Sequence, residues 1–102
     1  MVLLEFSIFP TDKGESVSIY VSKIIDYIDN SGITYQLTPM GTILEGDWDE
    51  TMRVVSGCFK IMAEDCARIS MSLKVDYRKG NDSRMKSKIE KVEALTDKTL
   101  KK

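Results

Sequence analysis

The residue types that carry most enzymatic chemistry near neutral pH are scarce in this chain. Histidine is absent from all 102 residues, which removes the usual general base and the commonest metal ligand. Carboxylates remain, and a pair such as Glu45 with Asp49 could trade a proton. The same two residues flank a predicted helix start, however, where negative charge is favoured for a structural reason. Cys58 and Cys66 are the only thiols. Eight residues apart, they would stand about 80° apart around a helix and more than one turn apart along it. That spacing suits neither a CxxC metal pair nor an intrachain disulfide, and the expectation is two buried thiols in a reducing compartment. Arg68 could meet an acidic ligand group or a neighbouring subunit's carboxylate, or form a surface ion pair of small energetic value.

The elements that must position these groups are organised around Thr38-Pro39-Met40-Gly41-Thr42-Ile43-Leu44-Glu45-Gly46-Asp47-Trp48-Asp49-Glu50. Pro39 fixes its own φ and pushes Thr38 toward extended geometry, Gly41 relieves the turn, and Thr42 to Glu45 supply a short strand. Asp47 is an N-cap, with Glu50 three residues on and able to reach back as a capping box.

Upstream, Val2, Leu4, Phe6 and Ile8 alternate with Leu3, Glu5, Ser7 and Phe9, which predicts a strand with one dry and one mixed side. Pro10 and Gly14 bracket a loop. A helix begins at Glu15 or Ser16, carries Val17, Val21, Ile24, Ile25 and Ile28 at the 3.6 period, and ends at Asn30-Ser31-Gly32. Thr34 to Thr38 alternates again and should bury Tyr35 and Leu37. From Asp47, the seam Trp48, Met52, Val55, Phe59, Met62 and Cys66 predicts a five-turn amphipathic helix. Residues 68 to 78 alternate without a break, with Ile69, Met71, Leu73, Val75 and Tyr77 on one side. Lys79-Gly80-Asn81-Asp82-Ser83 then leads to a last helix over about 83–98, striped by Met85, Ile89, Val92 and Leu95 or Thr96.

The order is βαββαβ followed by one helix, within a single domain spanning 1–102 whose core is 1–80. Two βαβ-like halves of this kind form a ferredoxin-like α+β fold: a four-stranded antiparallel sheet with both helices on one face and an extra C-terminal helix. The other face would carry Leu3, Glu5, Ser7, Phe9, Gln36, Thr38, Ser70, Ser72 and Lys74. It is too mixed for a core and too apolar at its ends to be simply wet, so a partner sheet is expected to cover it, giving a dimer or tetramer.

Composition narrows the function. Hydrophobic content of 42% and charge of 30% are those of an ordinary globular domain. The net charge of −1 hides an acidic body, with 8 Lys/Arg against 12 Asp/Glu in residues 1–80, and a basic tail, with 7 against 4 in residues 81–102. An acidic body gives no electrostatic footprint for nucleic acid, and the tail's positive charges are interleaved with Glu90, Glu93 and Asp97 as on a solvated helix face. No apolar run approaches the roughly 20 residues of a bilayer span, and Met1-Val2-Leu3-Leu4-Glu5 lacks a basic start and a cleavage site. A cytoplasmic protein with no membrane partner is expected.

Five segments in the same order and spacing resemble the thiamine-binding protein family. They are Glu5-Phe6-Ser7-Ile8-Phe9-Pro10, Ser16-Val17-Ser18 with Tyr20-Val21, Tyr35 to Thr42, Glu45 to Glu50, and Asp76-Tyr77-Arg78-Lys79-Gly80. The resemblance implies a small ferredoxin-like homo-oligomer, a dimer of dimers packed through its sheets, that binds thiamine or its hydroxymethylpyrimidine portion; with no histidine in the chain, a non-catalytic role is expected. A site for that ligand needs faces to sandwich rings, a carboxylate for the thiazolium charge, and hydroxyls for the pyrimidine edge. The candidates are Glu5 and Glu45 for charge; Ser7, Ser18, Thr38 and Thr42 for the edge, with Gly41 shaping the turn; and Tyr35, Met40 and Phe9 for the faces. Structural alternatives stand beside them: Ser18 as helix surface, Tyr35 as core, Glu45 as support for the following helix, and Gly41 and Thr42 as turn and strand residues.

Thiamine diphosphate enzymes hold their cofactor with a Gly-Asp-Gly segment and a downstream Asn pair. Gly46-Asp47-Trp48 lacks the second glycine, so thiamine is expected as a ligand and not as a diphosphate cofactor. Other users of the topology fit less well. Pro10-Thr11-Asp12-Lys13-Gly14 has one glycine and no arginine, unlike the phosphate loop of acylphosphatases. The last strand presents Ser70, Ser72 and Lys74 where an RNA-recognition module needs aromatics, and the first loop has no copper-binding Cys pair. The competing reading is a structural or regulatory ferredoxin-like oligomer that senses a different small metabolite.

Overall fold

The computed structural model describes residues 1–15, 17–80, 85 and 87–101. A helix start at Ser16 and the Asn81-Asp82-Ser83 turn lie outside them. The order is β1 (Val2–Pro10), α1 (Val17–Ser31), β2 (Thr34–Thr38), β3 (Gly41–Gly46), α2 (Trp48–Asp65), β4 (Ile69–Tyr77) and α3 (Ser87–Thr96). The sheet order is β2-β3-β1-β4, with every neighbouring pair antiparallel. This is the expected ferredoxin-like architecture with an added C-terminal helix.

Strand alternation sets the two faces. Across the sheet, Tyr35, Leu44, Leu4 and Val75 share one row, and Leu37, Thr42, Phe6 and Leu73 share the next. Both rows face the helices, and their central members Leu44, Leu4 and Phe6 join the core with Ile24 and Ile28 of α1 and Val54, Cys58 and Met62 of α2. The outer members differ. Leu37 and the whole apolar row of β4 from Met71 to Tyr77 are exposed, because the two helices pack on the inner strands and on each other. Leu37 is therefore not core, and Tyr35 is only partly buried against it.

Asp47 caps α2 as its sequence position demands, accepting the Glu50 N–H at 2.7 Å, a contact worth about 1 kcal/mol. Glu50 does not close the box; its carboxylate lies against Gly46, where a Cβ would meet Oε2 at 2.8 Å. The buried face of α2 is Thr51, Val54, Val55, Cys58 and Met62. Trp48 and Phe59, read from the sequence as part of the seam, are exposed. The reason lies in α1, which packs beside α2 and turns it. Gly57 marks the contact: a Cβ there would overlap the Tyr27 phenol oxygen and ring. The apolar period alone cannot register that rotation.

α1 ends at Gly32 with φ +80°, the left-handed conformation expected there. Met85 and Lys88 meet residues of the sheet's open face. The Met85 N–H donates to the Glu45 carboxylate at 3.0 Å, and Lys88 meets Asp76 at 2.6 Å. Of the stripe on α3, Ile89 is half-buried and Val92 and Leu95 are exposed. Cys58 and Cys66 are free and buried.

Gly57→Ala should lower stability by about 1–3 kcal/mol through overpacking, a fall in Tm of roughly 5–20 °C, despite alanine's better helix propensity. In a Tyr27→Ala background, the same change should instead raise Tm; thermal melts of the four proteins decide, and equal effects in both backgrounds would refute the contact. Burial pushes the Cys58 thiol up to about 12, so iodoacetamide at mildly alkaline pH should label it only after denaturant is added, as read by mass spectrometry.

Candidate functional site

The β2–β3 hairpin closes in two residues, Pro39 and Met40, since Thr38 pairs with Gly41. Among the described residues only Asp97 has a positive φ outside glycine, so Pro39 and Met40 do not adopt the primed turn usual for so short a loop. The Thr38 hydroxyl holds the alternative geometry. It donates to the Gly41 carbonyl at 2.8 Å and accepts the Met40 N–H at 3.3 Å. Gly41 then presses on β1: a Cβ at this position would stand 2.8 Å from the Phe6 carbonyl oxygen. Only glycine allows that approach.

The β1–β3 ladder ends there, at Phe6 opposite Thr42. β1 continues to Pro10 with β4 on one side and, among the described residues, no strand on the other. Into the notch between this continuation, the hairpin and the first turns of α1 opens a cleft of about 270 Å³. Its walls are mostly apolar: Ile8 of β1, Val17 and Val21 of α1, and Leu37 and Met40 of the hairpin. Ser7, Thr38, Gly41 and Thr42 bring polar groups to it.

Thr42 is the distinctive member. It is only 5% exposed, stands on the apolar side of the sheet in the row of Leu37, Phe6 and Leu73, and its hydroxyl makes no hydrogen bond to any described residue. A buried hydroxyl left so costs about 1–3 kcal/mol unless something else completes it. Here it lines the cleft and offers one donor and two acceptor positions to whatever occupies it.

A second, smaller cleft of about 130 Å³ lies around the end of the hairpin, lined by Glu5, Ser7, Met40, Ser72 and Lys74. Ser7 and Met40 line both. Met40 is 86% exposed, a thioether face hung between the two clefts with nothing covering it. Glu5 stands opposite Lys74 across the β1–β4 ladder.

Of the residues singled out in the sequence, Ser7, Thr38, Met40, Gly41, Thr42 and Phe9 meet at the larger cleft, and Glu5 at the smaller. Three lie elsewhere. Ser18 is on the exposed surface of α1. The Tyr35 phenol donates to the Asp29 carboxylate at 2.7 Å, and that bond, with some burial, raises its pKa above the ordinary phenol value. Glu45 is buried and accepts the Met85 N–H. Val17, Val21 and Leu37 are lining residues that sequence reasoning assigned to the core. The available signal was that Leu37 sits three residues from an exposed methionine, at the tip of a short strand. Among the described residues no group of three His, Cys, Asp or Glu side chains could hold a metal ion, and no helix is long and apolar enough to cross a membrane.

Known proteins are similar to this chain in sequence and fold. The UPF0045 protein MJ1052 of Methanocaldococcus jannaschii is 35% identical over 94 residues, covering 92% of this chain and 94% of its own. The UPF0045 protein Mb1933 of Mycobacterium bovis is 38% identical over 93 residues, covering 90% and 91%. The crystal structure of MJ1052 superposes with a TM-score of 0.81 over 89% of this chain and 94% of that one. A putative thiamine biosynthesis/salvage protein from Thermotoga maritima, 22% identical, shares the fold with a TM-score of 0.78 over 89% and 97% of the two chains. A family model described as thiamine-binding protein matches residues 4–93, nearly the whole span from β1 into α3, and the chain belongs to that family.

Proposed function

We propose that this protein is a non-catalytic, cytoplasmic, homo-oligomeric binder of thiamine or its hydroxymethylpyrimidine portion. The observation that carries the reading is the buried Thr42 hydroxyl, bonded to no described residue, lining a mostly apolar cleft. An aminopyrimidine has donors and acceptors at its edge and two apolar faces, and the cleft offers the complement: hydroxyls of Thr42 and Ser7 for the edge, Leu37 and Val21 for the faces. At about 270 Å³, it falls just under the range of roughly 300–1,000 Å³ typical of drug-sized ligands. One ring system fills it. The thiazolium then passes over Met40 toward the neighbouring cleft, where the Glu5 carboxylate meets its positive charge.

Family membership supports the ligand class. The absence of histidine from the sequence supports a role in binding over catalysis. The polar-striped face of the sheet, with Glu5, Ser7 and Lys74 exposed or half-exposed, supports contact with a further subunit on that side. Thr38 acts by setting the hairpin, since both its hydrogen bonds are internal to the turn.

Calorimetric titration with thiamine, hydroxymethylpyrimidine and a panel of amino acids tests the proposal. Heat with an amino acid and none with either thiamine compound would favour a sensor of another metabolite. Thr42→Val keeps shape and strand propensity while deleting the hydroxyl. It should weaken binding of both thiamine compounds by about five- to tenfold, the effect of one hydrogen bond, with Tm unchanged or slightly raised because a polar group leaves an apolar row. Unchanged affinity would remove Thr42 from the site. Glu5→Gln should weaken thiamine severalfold, less so at high salt, while leaving the uncharged hydroxymethylpyrimidine unaffected; equal losses for both would show that Glu5 does not read the thiazolium.

A further inference from the structure

Each residue of an antiparallel strand sends its N–H and C=O to the same neighbour, and successive residues alternate between the two neighbours. In β1 the phase is fixed at both ends. The Met1 ammonium donates to the Arg78 carbonyl and the Arg78 N–H to the Met1 carbonyl, each at 3.1 Å, and the Thr11 N–H donates to the Arg68 carbonyl at 2.9 Å. Both pairs continue the β1–β4 register, so the odd-numbered residues of β1 serve β4 and the even-numbered ones face the other way. On that side Val2, Leu4 and Phe6 meet Gly46, Leu44 and Thr42 of β3. Ile8 is next in phase, and there the ladder has ended.

Continuing the β1–β3 register would set Ile8 opposite Met40. The hairpin prevents it, because the Met40 N–H is turned to the Thr38 hydroxyl. Ile8 is only 7% exposed, and among the described residues neither its N–H nor its C=O has a hydrogen-bond partner. Main-chain groups buried to this degree are almost always paired. Pro10 follows in the same phase and has no N–H to leave open, which is the kind of place where a strand tolerates proline. What stays open is one donor and one acceptor, both on Ile8, in the wall of the cleft that the Thr42 hydroxyl also lines.

We propose that the Ile8 main chain is a binding group of this cleft and pairs with a planar heterocycle that carries a ring-nitrogen acceptor beside an exocyclic amino donor. The inference rests on the thiamine reading and deepens it. The Ile8 N–H donates to a nitrogen of the aminopyrimidine ring, the ring's amino group donates to the Ile8 carbonyl, and the ring stands where a residue of β3 would otherwise pair. A hydroxyl can turn to donate or to accept, so Thr42 and Ser7 alone would take either order of groups along a ligand's edge. The main chain cannot turn. Ile8 therefore selects the amino compound over its oxo analogue, in which the ring nitrogen carries a hydrogen and a carbonyl replaces the amino group, so that donor faces donor and acceptor faces acceptor. Turning the analogue over restores the pairing only by exchanging the positions of its methyl and hydroxymethyl groups.

Amide hydrogen exchange on the isotope-labelled full chain, followed by nuclear magnetic resonance, tests this in the wild type. Without ligand, the Ile8 amide should exchange at least about tenfold faster than those of Leu4 and Phe6, which lie in the ladder. Saturation with hydroxymethylpyrimidine should slow Ile8 by about tenfold or more and move its proton resonance downfield, leaving Leu4 unchanged. In calorimetry, the oxo analogue should bind at least about tenfold more weakly than the amino compound. An Ile8 amide as protected as Phe6 in the free chain, an Ile8 amide unchanged under saturating ligand, or equal affinity for the two pyrimidines would each overturn the proposal while leaving thiamine binding in place. No heat with thiamine or with hydroxymethylpyrimidine would overturn the binding reading itself, and this inference with it.

Discussion

The contact between Gly41 and the Phe6 carbonyl governs more of this molecule than any other. It stops the β1–β3 ladder at Phe6 and Thr42, while the β1–β4 ladder runs on to Pro10 and Ile69. The central strand is thus paired on both sides for its first half and on one side for its second. That mismatch opens the notch that becomes the cleft. It also gives β4 a full-length partner, which is why β4 extends to nine residues when β2 stops at five.

The hairpin that makes the contact is held without the usual turn chemistry. Pro39 sets one φ, the Thr38 hydroxyl bridges the turn through two bonds, and Gly41 provides the closeness. None of these atoms is left over for a ligand. Their effect is to deliver Thr42 and Met40 to the same small space, one buried with a hydroxyl that bonds to no described residue and one exposed with its thioether open. Groups held by a rigid turn lose little entropy when a ligand arrives, so in the proposed binding role the internal bonds of Thr38 act indirectly.

Much of this was legible in the sequence where the signal is local. Strict alternation from Val2 to Phe9 and from Arg68 to Tyr77, the Asp47 cap and Gly32 after α1 each report a local preference, and each element appears where those residues place it. The hairpin's importance was legible too, because Pro39 and Gly41 constrain backbone geometry at known positions. What failed depended on packing between elements. Trp48 and Phe59 belong to the apolar period of α2, but the rotation of that helix is set by Tyr27 against Gly57, a contact between distant segments. Leu37 alternates as a core residue should, yet its burial depends on how far the helix layer reaches over an edge strand. Glu45 looked like a free charge beside a helix start and is instead tied down by Met85, 40 residues away.

The two edges of the sheet show the same physics treated in opposite ways. β2 is short and ends at Pro39, which has no N–H to donate, and natural sheets blunt their edges with such features. β4 has no proline, no glycine and no interruption in its apolar row. Its charged side chains, Lys74 and Asp76, lie on the polar face, where Lys88 of α3 meets Asp76 at 2.6 Å. Were solvent the permanent neighbour of this edge, the apolar residues on β4 and on the outer flank of α2 would be a persistent aggregation hazard for a chain this small. The two edges therefore differ in kind: β2 is short and followed by a proline, whereas β4 runs nine residues with neither proline nor glycine.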